Sequence, residues 1–422
     1  MPITEVGDRK ARTTRRRPGQ VTFRNYFSPN DLTRLLVAAV CGLLLRDCNG
    51  AEVGRHTVAI NCPRAVPLPL TYRPPHYVMI KLSTHSGDEA PVIALIGCGA
   101  ITEALHLPAL ARHPEIMAKA VCVDPNLARA NAMATKFGAS RAVARYQDVM
   151  GDADGAIVAV PPKLHYPVTM DLLAAKVHVL CEKPLTDTAD QARGLIAKAQ
   201  QMDVALCVNN YRRLYPSSIK VRDLIAAGEL GAVRHLEFFW GEQFDWPAAS
   251  STYFGAAAGR GVLADKGAHV LDLVCWWLGG KPEVVSYEDD SMGGTEAVAA
   301  LHFRLNECEG VVRLSWLSRY PNTFEVRGDH ATAGGRLFDW DTVDLKRTSG
   351  RKQKLRLASS AKVPQDLGKD LLDNFLDVVR GRAKPVVAGS DVLPSIELLD
   401  ECYSRRTRMP MPWYDAWRRI GN

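Results

Sequence analysis

The sequence predicts an α/β chain of two domains, a doubly wound parallel sheet followed by an α+β unit on a large, open, mostly antiparallel sheet. Three observations predict this. Apolar runs alternate with amphipathic helical stretches from residue 89 to Asn209. A glycine turn, "GCGAIT" (Gly97–Thr102), separates the first run from the first helix. Beyond Asn209 the rhythm changes to long alternating strands with few helices.

In order, Val92–Ile96 is a first strand, and the helix after the glycine turn turns Leu105, Leu107, Leu110 and Ala111 inward. "AKAVCVD" is a second strand ending in Asp124, and "LARANAMATKFG" a helix closed by Gly138. "GAIVAV" (155–160) is a strand stopped by Pro161 and Pro162, and a helix over 165–175 leads to the strand "VHVLC". "ADQARGLIAKAQQ" then precedes the strand "VALCV". In the second part, "SSIKVRDLIAAGEL" and "DKGAHVLDLVCWWLGG" are helices among the strands "VRHLEFFWGE", "AVAALHFRL" and "EGVVRLSWL". The divisions are therefore 1–88, an extension; 89–209, the parallel domain; 210–408, the second domain; and 409–422, a tail.

Composition excludes several classes. With 47% hydrophobic and 23% charged residues the chain is globular. Residues 1–78 hold 12 Lys and Arg against 5 Asp and Glu, so the whole formal charge of +7 lies there and the folded body is neutral. That body has no electrostatic case for a nucleic-acid partner. The ten cysteines form no CxxC pair and fall largely in apolar patterns, which suits a reducing cytoplasm rather than a disulfide framework. The basic, proline-rich extension reads as disordered, or as a start placed too far upstream with Met79 as the true one. Its order of basic then apolar residues resembles an export signal, but "RDCNG" (46–50) makes a poor cleavage site. The eleven apolar residues 35–45 are too few to span a membrane.

The glycine turn has the context that binds a dinucleotide. Gly97 makes the tight turn, and Gly99, with Ala100 and Ile101 behind it, lets a pyrophosphate approach the free N–H groups of a helix N-terminus. Thr102 replaces the usual third glycine, which predicts a helix set slightly further from its strand. Asp124 stands where a carboxylate accepts hydrogen bonds from the adenosine ribose and repels a 2′-phosphate, with Arg129 the nearest arginine. NAD is expected over NADP.

"KVHVLCEKPL" (176–185) raises a different question. A strand ends, without a spacer, in Glu182, Lys183 and Pro184, placing a lysine where open α/β sheets keep their ligands. Further on, Asp265, His269 and Asp272 are spaced i, i+4 and i+7, one stripe of a helix. No further His or Cys cluster completes a metal site there. Arg212 and Arg213 open the second domain and face either substrate or solvent. Trp240, Phe244 and Trp246 can stack on a sugar, although core packing suits them better.

With "GCGAITEALHLPAL", "VPPKLHYP", "CEKPL", "NNYRRLYP" and "GVLADKGAHVLDL" in this order, the chain resembles the glucose–fructose oxidoreductase/inositol dehydrogenase (Gfo/Idh/MocA) family over residues 90–405. The resemblance implies a Rossmann domain and a second domain whose open sheet joins homodimers or homotetramers. It implies hydride transfer between NAD(P) and a secondary alcohol or ketone of a sugar, sugar derivative or cyclic polyol. Lys183 then reaches the reacting oxygen, Glu182 lies beside the cofactor, and Pro184 makes a cis peptide. Asp265 and His269 become the catalytic pair, with His269 as acid/base, Asp265 supporting it and Lys183 holding the developing alkoxide. Pro161 and His165 belong to a cofactor loop, in which Pro162 replaces the family's asparagine. Arg213, Trp246 and Asp272 are the substrate-side candidates. Two other readings share the fold: a glycosidase that uses NAD within its cycle, and an inactive dinucleotide-responsive regulator.

Overall fold

The computed structural model describes residues 89–245, 260–291, 294–363 and 365–410. The extension 1–88, Trp246 and most of the tail lie outside the described residues.

The first part of the chain runs β1 (Ile93–Ile96), α1 (Leu107–Leu110), α2 (Pro114–Met117), β2 (Val121–Val123), α3 (Leu127–Phe137) and β3 (Arg141–Val143). It continues with β4 (Gly155–Val158), α4 (His165–Ala174), β5 (His178–Cys181), α5 (Ala189–Met202) and β6 (Leu206–Val208). These strands pair in parallel, in the order β3-β2-β1-β4-β5-β6. The strands "IALI" and "GAIV" are buried along their whole length, because helices cover both faces. The local signals act as their chemistry demands. The Asn126 side chain accepts from the Arg129 N–H to start α3, and Gly138, at φ 82°, closes it. The Thr188 hydroxyl caps α5 in the same way. Strand order reverses between β1 and β4, which opens a crevice at their carboxyl ends.

The second part begins with α6 (Pro216–Ala226), β7 (Val233–Gly241), α7 (Ala268–Leu278), β8 (Glu283–Asp289), β9 (Val298–Leu305) and β10 (Cys308–Ser315). Then come β11 (Thr323–Gly328), β12 (Ala331–Arg336), β13 (Thr342–Arg347), β14 (Lys352–Arg356), α8 (Asp366–Val379), α9 (Leu393–Ser404) and β15 (Thr407–Arg408). The strands form a sheet ordered β14-β13-β12-β11-β7-β10-β9-β8-β15, antiparallel except at β7/β10 and β8/β15. Burial alternates along β9 and β11, so one face packs on a core and the other faces outward. That core is aromatic at its centre: Phe238 stacks on Trp277 at 5.5 Å, and Trp277 meets Phe324 at 5.4 Å.

The division at residue 209 separates the sheets but not the cores. Leu371, Leu372, Phe375 and Leu376 of α8 are buried in the first core, where the helix packs along residues 102–110 and Tyr211–Leu214 rather than on the second sheet. A Cβ on Gly155 would lie 2.9 Å from Val379 Cγ2 and 3.2 Å from the Phe375 ring. Each of these apolar side chains is worth about 2 kcal/mol when buried. The edge of β6 is tied by Val208 N donating to Val387 O at 3.1 Å. Among the described residues no helix is long and apolar enough to cross a membrane.

Two expected helices start differently. The segment after the glycine turn opens with a wider π turn over Thr102–His106, in which Leu107 N donates to Thr102 O, five residues back. A second π turn, Leu263–Gly267, precedes α7. The expected stripe of Asp265, His269 and Asp272 is therefore broken between its first two members.

Candidate active site

The glycine turn is held by short polar contacts. Gly97 has φ 95°, and a Cβ there would lie 2.4 Å from Ala159 O, so only glycine lets the β1 and β4 loops meet so closely. At Gly99 the same test meets nothing within 4 Å, which leaves open space over the backbone. Thr102 is fully buried and its hydroxyl donates to Gly97 O at 2.5 Å, so the residue at the third glycine's place braces the turn. Gly99, Ala100 and Ile101 stay partly exposed at the mouth. Asp124 accepts from Cys98 N (3.0 Å) through Oδ2 and from Asn126 N (2.8 Å) through Oδ1. Its carboxylate ties the turn to the end of β2. Arg129 stands 3.8 Å from it, half-exposed. A turn with open backbone N–H groups and a carboxylate at the next strand end fits a dinucleotide.

At the end of β5 the Lys183–Pro184 peptide is cis, as the family resemblance implies. Lys183 Nζ donates to Asp265 Oδ1 at 2.9 Å and to Asp265 O at 3.0 Å, across from the parallel sheet to the second domain. Glu182 is buried and accepts from Asn209 Nδ2 (2.6 Å), pairs with His106 Nε2 (2.8 Å) and accepts from Lys183 N (3.1 Å). Burial opposes its charge, but His106, Asn209 and Lys183 outweigh it and keep the carboxyl below its usual range. Glu182 is thus a buttress under Lys183. His165 is buried too, with Nδ1 2.7 Å from Pro184 O and Nε2 2.9 Å from Val160 O. It clips the "VPP" loop to the Lys183 loop, while Pro161 lies exposed at the crevice.

In the second domain His269 is 7% exposed, edge-on to Tyr211 (ring centroids 5.7 Å) and tilted to Trp240 (6.2 Å). Its Nδ1 has no hydrogen-bond partner among the described residues. Burial first, then the Lys183 and Arg212 charges, push its pKa well below the usual 6.5, so the ring is neutral at pH 7.

Asp265 does not support His269 as expected. Its Oδ1 is bonded to Lys183 and its Oδ2 accepts from Trp316 Nε1 at 3.3 Å, because the π turn swings it off the α7 stripe. Arg213 and Asp272, the substrate-side candidates, are bonded to each other. Arg213 Nε and Nη2 donate to Asp272 at 2.8 and 2.6 Å, and Nη2 also donates to Asp391 O. This buried two-pronged pair fixes α7 to the segment opening the second domain. Burial raises the Asp272 carboxyl, and Arg213 pulls it back only in part. Trp240 is a core residue whose Nε1 donates to Glu242 Oε1, and Phe244 packs on Trp316 at 5.1 Å.

Sequence reasoning overlooked Glu296. It is fully buried and accepts from Gly261 N (2.9 Å), Leu263 N (3.1 Å) and the Tyr403 hydroxyl (2.7 Å). A Cβ on Gly261 would sit 1.9 Å from Glu296 O. Glu296 thereby holds the π turn that carries Asp265. Only its place at the head of β9, before an apolar run, hints at this.

The same chain matches two family models. Residues 92–210 match the oxidoreductase family with an NAD-binding Rossmann fold, and residues 218–334 match the GFO/IDH/MocA C-terminal domain. Among curated proteins, the rhizopine catabolism protein MocA of Rhizobium meliloti is 33% identical over 132 residues, 31% of this chain but only 40% of that protein. The 1,5-anhydro-D-fructose reductase of Ensifer adhaerens is 27% identical over 62% of this chain and 81% of its own length. Among solved structures, the 3-ketoreductase KijD10 of Actinomadura kijaniata, in complex with NADP and TDP-benzene, superposes with a TM-score of 0.65. It is 21% identical, covering 76% of this chain and 99% of its own, which speaks for the fold alone.

Proposed function

The chain belongs to the Gfo/Idh/MocA oxidoreductase family, and from that premise we propose that it moves a hydride between a nicotinamide dinucleotide and a secondary alcohol or ketone of a sugar, sugar derivative or cyclic polyol. One observation carries the reading: Lys183, at the end of a strand beside the dinucleotide turn, bonds Asp265 one turn before the buried, neutral His269.

When bound, the dinucleotide supplies the ring carbon that gives or takes the hydride. The chain's own residues do the rest. His269, neutral at pH 7, takes the hydroxyl proton on a ring nitrogen as the alcohol is oxidised and returns it in the reverse direction. Lys183, aimed by Asp265 and buttressed by Glu182, places an ammonium against the substrate oxygen and stabilises its developing negative charge. Burial by Trp240 and Tyr211 keeps water from His269. Asp124 favours NAD by its charge, whereas Arg129, 3.8 Å away, can meet a 2′-phosphate, so NADP is accepted with lower affinity. The outward face of the second sheet, with Phe239, Ala300 and Val311 half-buried along neighbouring strands, is the surface through which homo-oligomers form.

The test mixes purified protein with NAD or NADP and a panel of sugars and polyols, and follows absorbance of the reduced cofactor. Reduction with one substrate class supports the reading. Release of a glycosidic leaving group with no net reduction would replace it with the glycosidase.

A further inference from the structure

We propose that the substrate carries an oxyanion, a carboxylate or a phosphate, and that Arg212 binds it. The proposal rests on the dehydrogenase reading and narrows its substrate class.

Among the described residues, several cations stand around His269 and the π turn before it, and Arg260, just ahead of that turn, is paired with Asp187 and Asp400. Lys183 is paired with Asp265, Arg213 with Asp272, and Lys266 with Glu242 at 3.1 Å. Arg212 is the odd one out. It is 7% exposed, no described carboxylate forms an ion pair with it, and its Nε has no hydrogen-bond partner among the described residues. One guanidinium N–H donates to Leu337 O at 3.1 Å. A buried charge without a counter-ion is costly, and a buried N–H without an acceptor adds to the cost.

Aromatic rings do not remove the problem. The guanidinium carbon lies 4.3 Å from the Trp240 ring centroid, 5.3 Å from Tyr215 and 5.7 Å from Phe338. Such rings attract the cation through their faces, yet they offer its in-plane N–H donors no acceptor. They hold the guanidinium plane in place and leave its Nε–H without an acceptor among the described residues. The location suits a substrate. Trp240 packs on both Arg212 (4.3 Å) and His269 (ring centroids 6.2 Å). An oxyanion on Arg212 therefore sits beside the proton-transfer group. Planar, charge-assisted recognition of this kind is what an arginine does well.

The experiment titrates the full chain, saturated with cofactor, with D-gluconate, D-glucuronate and glucose 6-phosphate, and with their neutral parents D-glucitol and D-glucose. Calorimetry reads binding and absorbance reads cofactor turnover, in wild type, Arg212→Met and Arg212→Lys. At least one anion should bind about tenfold tighter than its neutral parent. That ratio should fall towards one in Arg212→Met and survive in part in Arg212→Lys, and the better anion separates carboxylate from phosphate. If no anion outbinds its parent in wild type, or the ratio persists in Arg212→Met, the proposal is overturned. Should Arg212→Met fail to fold, the wild-type and Arg212→Lys arms decide alone: a ratio unchanged by lysine excludes the arginine edge. Anion preference without any cofactor turnover would keep the oxyanion site and sink the dehydrogenase. Turnover of neutral sugars alone would do the reverse.

Discussion

The cofactor side and the substrate side of the crevice are finished to different degrees. On the cofactor side, Asp124 spends both carboxylate oxygens on backbone N–H groups, Thr102 closes on Gly97, and His165 lies between two carbonyls, to one of which its neutral ring donates. His106 Nδ1 and Asn209 Oδ1 are the exceptions there. On the substrate side, His269 Nδ1 and Arg212 Nε end without partners among the described residues, inside an aromatic shell. A dinucleotide is recognised largely by backbone and shape, so its frame can be internally satisfied. A substrate must be turned over, and the groups that act on it cannot be spent on the protein.

The sharpest break of this comparison is Lys183→Ala, whose side chain bonds Asp265 across the two halves. It should lower kcat about 10³-fold while dinucleotide binding, measured by fluorescence titration, persists. Near-normal turnover would remove Lys183 from the chemistry. His269→Ala should cost about 10²-fold in kcat. In the oxidative direction, the acid limb of kcat/KM should lie below pH 6.5, because the ring must be unprotonated to accept a proton and its pKa is depressed. Stability should follow the same sign. His165 and His269 are both depressed by burial, so the unfolded chain binds protons near pH 6.5 that the folded chain does not. The melting temperature should hold at pH 7 to 8 and fall as pH drops below 6.5, and a flat profile would contradict the burial of these rings. Glu296→Gln is milder: it weakens the acceptor for Gly261 and Leu263, and should cost about 2 kcal/mol in denaturant unfolding. The smallest effect belongs to Arg129→Ala, which should weaken NADP a few-fold in fluorescence titration and leave NAD nearly unchanged.

Much of this was legible in the sequence. Fully buried parallel strands are continuous apolar runs, and the turn, cap and proline signals around them act locally, so β1, β2, β4, β5 and their loops could be read directly. Lys183 and Asp265 do meet, and the Lys183 charge acts on His269. What could not be read is what each touches. A π turn leaves no periodic trace, so the step that hands Asp265 to Lys183 instead of His269 is invisible in the spacing. The Arg213–Asp272 pair joins residues 59 positions apart, and either looks free in a linear view. The apolar stripe of α8, Leu367, Leu371, Leu372, Phe375 and Leu376, is legible as a helix by its spacing, but which core it joins is not, because that core lies far away in sequence.

The return of α8 to the first core sets an order on biosynthesis. The parallel sheet emerges from the ribosome complete in its strands by Val208, yet Phe375 and its neighbours, which complete the first core, are translated only after every strand of the second sheet except β15. The nucleotide-binding half thus waits, with part of its apolar surface open to solvent or chaperones, for nearly the last segment made. A chain truncated before α8 would keep every residue of the glycine turn and still lack the lid on its core.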